Sequence, residues 1–168
     1  MKRMIRICAV MLVLVSALTG CGNKADKNWY EGMLKYYSEG FSSGWKNEAA
    51  NLPVSQDEKD PNKKFGYLLR DLNKDGIDEL LIGIIDDEPE TKFVAIIINH
   101  SDFGANRSFS AGDGYYMYLC DSNVIRVDSW YGSETQTEYM TYNAEGDSFL
   151  VVDGGSMPQK VTLTPFEK

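Results

Sequence analysis

The sequence predicts an α+β domain, with an N-terminal helix packed on a mostly antiparallel β-sheet meander. Three observations predict it. Trp29, Met33, Tyr37, Phe41 and Trp45 recur every four residues with Tyr30 and Leu34 alongside, the stripe of a helix that buries one face. From Phe65 onward the pattern changes to short apolar runs separated by polar turns, the signature of strands. The chain has 168 residues, 43% of them apolar, which suffices for one ordinary domain and is too little for two.

The helix starts near Asp26 or Asn28, either of which can cap its first turn. Gly32, Gly40 and Gly44 each weaken it by roughly 1 kcal/mol, and Gly40 is where it would break. Asn51 to Lys64 holds Pro53, Pro61 and the charge run Asp57-Glu58-Lys59-Asp60, and is expected to be a solvated loop. Phe65 to Arg70 and Leu80 to Ile85 read as a hairpin around an acidic loop, spanning 65–85. Asp86-Asp87-Glu88-Pro89 turns the chain into a third strand, Phe93 to Ile98. The second and third strands are apolar on both faces, so they belong in the middle of the sheet. Ser101 to Gly114 is glycine-rich and irregular. Strands then follow at Tyr115 to Cys120, Val124 to Val127, Thr135 to Tyr142, Ser148 to Val152 and Val161 to Leu163. Turns at Asp121-Ser122-Asn123, Asn143 to Gly146 and Asp153-Gly154-Gly155 separate them.

The first twenty residues stand outside this domain. Met1 to Arg6 is basic, and Ile7 to Leu18 is apolar apart from Ser16. That run is short of the roughly 20 residues a membrane span needs and right for a signal peptide. Leu18-Thr19-Gly20-Cys21 resembles the lipobox of bacterial lipoproteins, in which the cysteine thiol is diacylated and the chain is cut before it. The resemblance implies a signal peptide over 1–20, a lipidated tether over 21–27 and one α+β domain over 28–168. It also implies a membrane partner through a lipid anchor at Cys21 and a place on the extracytoplasmic face. Two acyl chains suit stable anchoring, since each buried methylene contributes ~0.8 kcal/mol.

Removing Lys2, Arg3 and Arg6 leaves 14 basic residues against 25 acidic ones, so the net charge moves from −8 to −11. Such acidity excludes nucleic acid as a natural partner and favours divalent cations. Cys120 is the one cysteine left in the domain, which rules out a disulfide framework, and its apolar surroundings suit a small buried hydrophobe.

Within the hairpin, Asp71-Leu72-Asn73-Lys74-Asp75-Gly76-Ile77-Asp78-Glu79 carries side-chain oxygens at alternate positions. Counting from Asp71, Asp71, Asn73 and Asp75 take the first, third and fifth places. Gly76 makes the sharp turn, Ile77 offers a backbone carbonyl, and Glu79 takes the ninth place directly or through water, with Asp78 as the alternative. Such a loop can wrap a hard cation such as Ca²⁺. It is EF-hand-like without being an EF-hand: the twelfth place is Ile82 rather than a glutamate, and both flanks read as strands. The loop resembles the strand–loop–strand calcium loops of integrin-type FG-GAP and VCBS repeats. Tyr67 to Gly83 is also similar to a segment of small surface lipoproteins of Gram-positive bacteria. Lys74 departs from the usual glycine, and Glu79 stands where FG-GAP loops have aspartate. The resemblance implies calcium and a surface location; the spacing puts a structural ion at Asp71, Asn73, Asp75, Ile77 and Glu79, and three carboxylates with one amide suggest binding at around 10⁻⁴ M. The alternative is a plain Asp75-Gly76 hairpin turn.

No catalytic arrangement is present. His100 is the one histidine, and it follows an apolar strand. Gly146-Asp147-Ser148 superficially matches an esterase block, yet no histidine follows it. Asp86 and Asp87 are paired carboxylates whose setting reads as a turn. The expectation is a non-catalytic binding or structural protein. Tyr115, Tyr116, Tyr118, Trp130, Tyr131, Tyr139 and Tyr142 offer two alternatives, a carbohydrate-binding module or an accessory lipoprotein that contacts another surface protein.

Overall fold

A helix precedes every strand, as the aromatic stripe predicts. The computed structural model describes residues 27–46, 54–98, 107–110, 114–143 and 148–166. The signal segment, Cys21 and the tether up to Asp26, His100, and all but Asn143 of the turn from Asn143 to Gly146 therefore lie outside the described residues. Helix α1 (Lys27–Ser43) is followed by a one-turn α2 (Gln56–Lys59). The strands are β1 (Lys64–Arg70), β2 (Glu79–Ile85), β3 (Phe93–Ile98), β4 (Arg107–Ser110), β5 (Tyr115–Leu119), β6 (Ile125–Tyr131), β7 (Glu134–Asn143), β8 (Ser148–Val152) and β9 (Thr164–Pro165). They form one sheet in the order β8-β7-β6-β5-β3-β2-β1-β9, with β4 also on β3, and every pairing is antiparallel. The class is α+β with the sheet dominant.

The predicted meander holds for β1 to β3 and for β5 to β8, and is broken twice. β4 arises inside the stretch expected to be irregular and pairs with the Ala95–Ile98 half of β3, which leaves Phe93 to bridge to Met117 of β5. The last strand is not Val161 to Leu163. Val161 is held instead by Thr91, whose Oγ1 accepts its N–H at 3.0 Å, and strand pairing begins only at Thr164 on the free edge of β1.

β2 and β3 are buried along almost their whole length, which is why both read as apolar on both faces. Leu80, Leu81, Ile82 and Phe93 through Ile97 are sealed from solvent and form the centre of the core. A register shift at Ile82/Gly83 accommodates Gly83, where a Cβ would lie 2.9 Å from Leu163 and 3.1 Å from the Lys92 carbonyl.

α1 differs from expectation in two ways. Its first described residue is Lys27, so Asn28 lies within the helix and Asp26, the other expected cap, lies outside the described residues; the helix runs straight through Gly40 to Ser43 instead of breaking there. Trp45 is not part of the helical stripe. Gly44 and Trp45 take left-handed φ values of 64° and 57°, which fold the indole back onto Gly40. The Trp45 N–H donates to the Gly40 carbonyl at 2.9 Å, and its indole Nε1–H donates to the Glu58 carbonyl at 3.0 Å. Phe41 stacks on Phe65 of β1 with centroids 4.3 Å apart, and Phe166 lies 5.2 Å from the same ring.

The expected solvated loop at Asn51 to Lys64 is corrected by α2. Ser55 caps it in a reciprocal capping box: the Glu58 N–H donates to Ser55 Oγ at 3.3 Å, and the Ser55 N–H donates to Glu58 Oε2 at 2.8 Å. Both residues are buried. Ser55→Ala removes the acceptor for one helix N–H and a donor to a buried carboxylate. It should lower unfolding free energy by about 1–2 kcal/mol in urea denaturation.

Candidate functional site

The acidic loop is the turn of the β1–β2 hairpin, closed by the Arg70–Glu79 pair. Its backbone is bent by left-handed Lys74 (φ 65°) and Gly76 (φ 87°). Lysine is strained there, whereas glycine is not. The Asp71 carboxylate organises the turn. Oδ1 accepts the N–H groups of Lys74 at 2.6 Å and Asp75 at 3.2 Å, and Oδ2 accepts that of Gly76 at 2.9 Å. Asp75 does the same one step on: its Oδ1 accepts the Ile77 N–H at 2.8 Å, and its Oδ2 accepts Asn73 Nδ2 at 2.9 Å. Asn73 Oδ1 accepts the Asp75 N–H at 3.0 Å. The alternating oxygens therefore hold the loop's own amide groups.

Glu79 behaves differently from the other acids. It opens β2 and is only 1% exposed. Its Oε2 accepts the Leu72 N–H at 2.7 Å, which pins the start of the loop to the end of it. Burial pushes its carboxyl up to about 8, with the negative charges of Asp75 and Asp71 adding to the shift and the Leu72 N–H opposing it. Leu72 is buried too, an apolar plug between two oxygen-bearing residues. Asp78 is exposed, and its carbonyl accepts a hydrogen bond from the Tyr30 hydroxyl of α1.

The loop is also held from across the sheet, by a residue that sequence reading missed. Asn123 sits in the 3-10 turn Asp121–Asn123 between β5 and β6, with a left-handed φ of 62°. Its Nδ2 donates to the Asp71 carbonyl at 2.7 Å and the Leu72 carbonyl at 3.2 Å, and its Oδ1 accepts Arg70 Nε at 2.9 Å. An asparagine in a tight turn was the only signal available, and it said nothing about what the side chain reaches.

Asp71, Asn73, Asp75, Ile77 and Glu79 are thus brought into one short loop, while Cys21 lies outside the described residues. The donors are all oxygen, the chemistry that suits Ca²⁺. Among the described residues, no group of three or more His, Cys, Asp or Glu side chains is arranged to hold a metal ion. The loop fits a cation in donor type and order, with its carboxylates turned onto backbone N–H groups.

The other candidates are engaged elsewhere. The Tyr116 hydroxyl donates to Asp57, and Lys92 Nζ stands 5.5 Å from the Tyr116 ring centroid. Arg126 lies over Tyr118 at 4.4 Å and pairs with Glu90 at 3.0 Å and Asp128 at 2.9 Å. Trp130 remains 39% exposed, edge-on to Tyr116. Asp86 pairs with Lys160 at 3.2 Å in a bend. Cys120 is buried just beyond β5, and burial raises its thiol pKa. Among the described residues, no helix is long and apolar enough to cross a membrane. Comparison with known proteins finds no matching family model, no similar curated protein and no similar solved structure.

Proposed function

We propose that the chain is a lipid-anchored, extracytoplasmic protein in which the β1–β2 loop binds calcium as a structural clamp, in a non-catalytic binding or structural role. Lipobox-like Cys21 supports the anchor. One observation carries the calcium reading: Asp71, Asp75 and the buried Glu79 are gathered with Asn73 in one short oxygen-rich loop. Asp71, Asn73 and Asp75 would hold the ion, with the Ile77 carbonyl and Glu79 completing the site and Asp78 as the alternative ninth-place ligand. The ion would supply positive charge where the loop concentrates negative charge. At ~1 mM Ca²⁺ and a Kd near 10⁻⁴ M, it would stabilise the fold by about 1.4 kcal/mol.

We also infer that α1 serves as a layer over the β1 margin of the sheet. The Phe41–Phe65 stack and the Tyr30–Asp78 hydrogen bond support this.

The test is calorimetric titration of Ca²⁺ into the full chain in detergent solution, beside an Asp75→Ala variant. Saturable binding with a raised melting temperature, both lost in Asp75→Ala, is the expected result. No heat and no shift at several millimolar would leave the loop an acidic turn held by its own amides.

A further inference from the structure

At the end of the β1–β2 hairpin opposite the acidic loop lies a cavity of about 440 Å³. That size suits a small molecule. Lys63 and Lys64 line it where β1 begins, with Lys92 just before β3, Tyr116 of β5, and Asp86 and Asp87 from the bend after β2. The strand register explains the convergence. Lys64 is paired with Ile85, and the Ile84 N–H donates to the Lys92 carbonyl at 2.9 Å, so the two lysines flank the end of β2 from either side. Two strand spacings set their backbones roughly 10 Å apart, a gap that two lysine side chains can close on one bound group.

Helix α2 fixes one wall. Asp57 accepts a hydrogen bond from Lys63 Nζ through Oδ1 and from the Tyr116 hydroxyl through Oδ2. Lys92 Nζ stands 5.5 Å from the centroid of the Tyr116 ring, and Asp86 is paired with Lys160 at 3.2 Å. Lys63 and Asp86 are thereby compensated, whereas among the described residues neither Lys64 nor Lys92 takes part in an ion pair. The three lining lysines and Lys160 set four ammonium groups against the three carboxylates of Asp57, Asp86 and Asp87. The hollow is therefore locally positive in a chain of net charge −8, and a hollow focuses the field of the charges that line it.

We propose that this cavity binds a small molecule through a compact oxyanion, a carboxylate or phosphate group held between Lys64 and Lys92. Charge selects that class. A cation would meet ammonium groups on both sides of β2, and a neutral ligand would leave the two uncompensated lysines unanswered. Lysine presents a point charge rather than a planar fork, so it takes either oxyanion. Lys63 and Tyr116 are already held by Asp57, which reduces the ordering that binding must impose. Ile84 and Ile85 also line the cavity and give the body of the ligand apolar surface. Asp87 opposes the anion and limits how much negative charge the ligand can carry. The site stands whether or not the acidic loop holds calcium, because the two lie at opposite ends of the hairpin.

The test is calorimetric titration of sodium phosphate and, separately, sodium malonate into the full chain in detergent solution without added divalent cations. Sodium chloride at matched ionic strength is the reference. Saturable binding of at least one oxyanion is expected, and the one that binds more tightly identifies the head group as phosphate or carboxylate. The double variant Lys64→Gln/Lys92→Gln should weaken binding roughly tenfold. Lys35→Gln, at an exposed ion pair on α1, should leave it unchanged. Asp87→Asn removes a like charge and should tighten binding several-fold, a change of sign that poor folding cannot imitate. Asp75→Ala should bind the oxyanion as the wild type does, which separates a failure here from a failure of the calcium reading. No binding beyond that of chloride, or binding undiminished in Lys64→Gln/Lys92→Gln, would overturn the proposal.

Discussion

Gly40→Ala is expected to destabilise the protein by about 2–3 kcal/mol, against the usual sign of a glycine-to-alanine change inside a helix. At an open helical position that change gains up to ~1 kcal/mol. Here a Cβ would lie 2.5–2.6 Å from three atoms of the Trp45 indole. The indole has little room to retreat. It is buried, with the rings of Tyr36, Tyr37 and Phe41 at 5.4, 5.6 and 5.5 Å, and its Nε1–H is committed to the Glu58 carbonyl. Relieving the clash would break that bond and loosen the junction between α1 and α2. Gly32→Ala is the matched control, because nothing lies within 4 Å of its added methyl, and it should be neutral or stabilising. Urea denaturation followed by tryptophan fluorescence separates the two. Equal stability for Gly40→Ala and wild type would mean that the indole can leave Gly40 at little cost.

Acidification from pH 8 to pH 5 should stabilise the protein in the absence of added divalent cations, by an amount on the order of 2–4 kcal/mol. Glu58 and Glu79 are responsible. Burial raises Glu58 from 4.5 to about 7, with the Asp57 charge adding to the shift, and raises Glu79 from 4.5 to about 8. Above pH 4.5 the unfolded chain releases these two protons while the folded chain keeps them. The unfolded state then binds fewer protons, and stability falls as pH rises towards 7 and 8, by at most about 1.4 kcal/mol per pH unit for each carboxyl. Asp57 runs the other way. Hydrogen bonds from Lys63 and Tyr116 outweigh its desolvation and lower its pKa from 3.8, so its contribution is lost as pH falls through the folded value. Stability should therefore peak near pH 5. Urea midpoints at pH 5, 6, 7 and 8 measure this directly. Glu58→Gln should flatten the lower part of the profile and Glu79→Gln the upper part. A profile already flat in the wild type would mean that both carboxyls ionise near their ordinary values in the folded chain.

Elements whose cause is local were legible in the sequence. The four-residue aromatic repeat marks α1, and the unbroken apolar runs of β2 and β3 mark the centre of the sheet, because burial on both faces leaves no position for a polar residue. Gly76 and the oxygens around it mark the hairpin turn. Elements that depend on distant partners were not legible. Trp45 keeps the helical spacing yet leaves the helix, because its packing on Gly40 and its bond to Glu58 outweigh continuation past Gly44. β9 falls later than the apolar run Val161 to Leu163 because Thr91 claims Val161 first. Ser55 and Glu58 were a readable exception: their Ser-x-x-Glu spacing signals a capping box, but the charge run around it suggested solvent. At the candidate site, residue types and order could be read from the chain, whereas the burial of Glu79 and the grip of Asn123 needed the fold.

That grip bears on when the acidic loop can take shape. The β1–β2 hairpin closes over a short stretch of chain and can form early. Asn123, however, reaches Asp71 and Leu72 across 52 and 51 residues, so its hold requires β3, β5 and the turn after β5 to be in place. Closing so long a segment carries an entropic cost that only an assembled sheet can offset. The loop's own amide bonds can therefore form with the hairpin, whereas its anchorage by Asn123 is a late arrival in folding, set by the finished sheet.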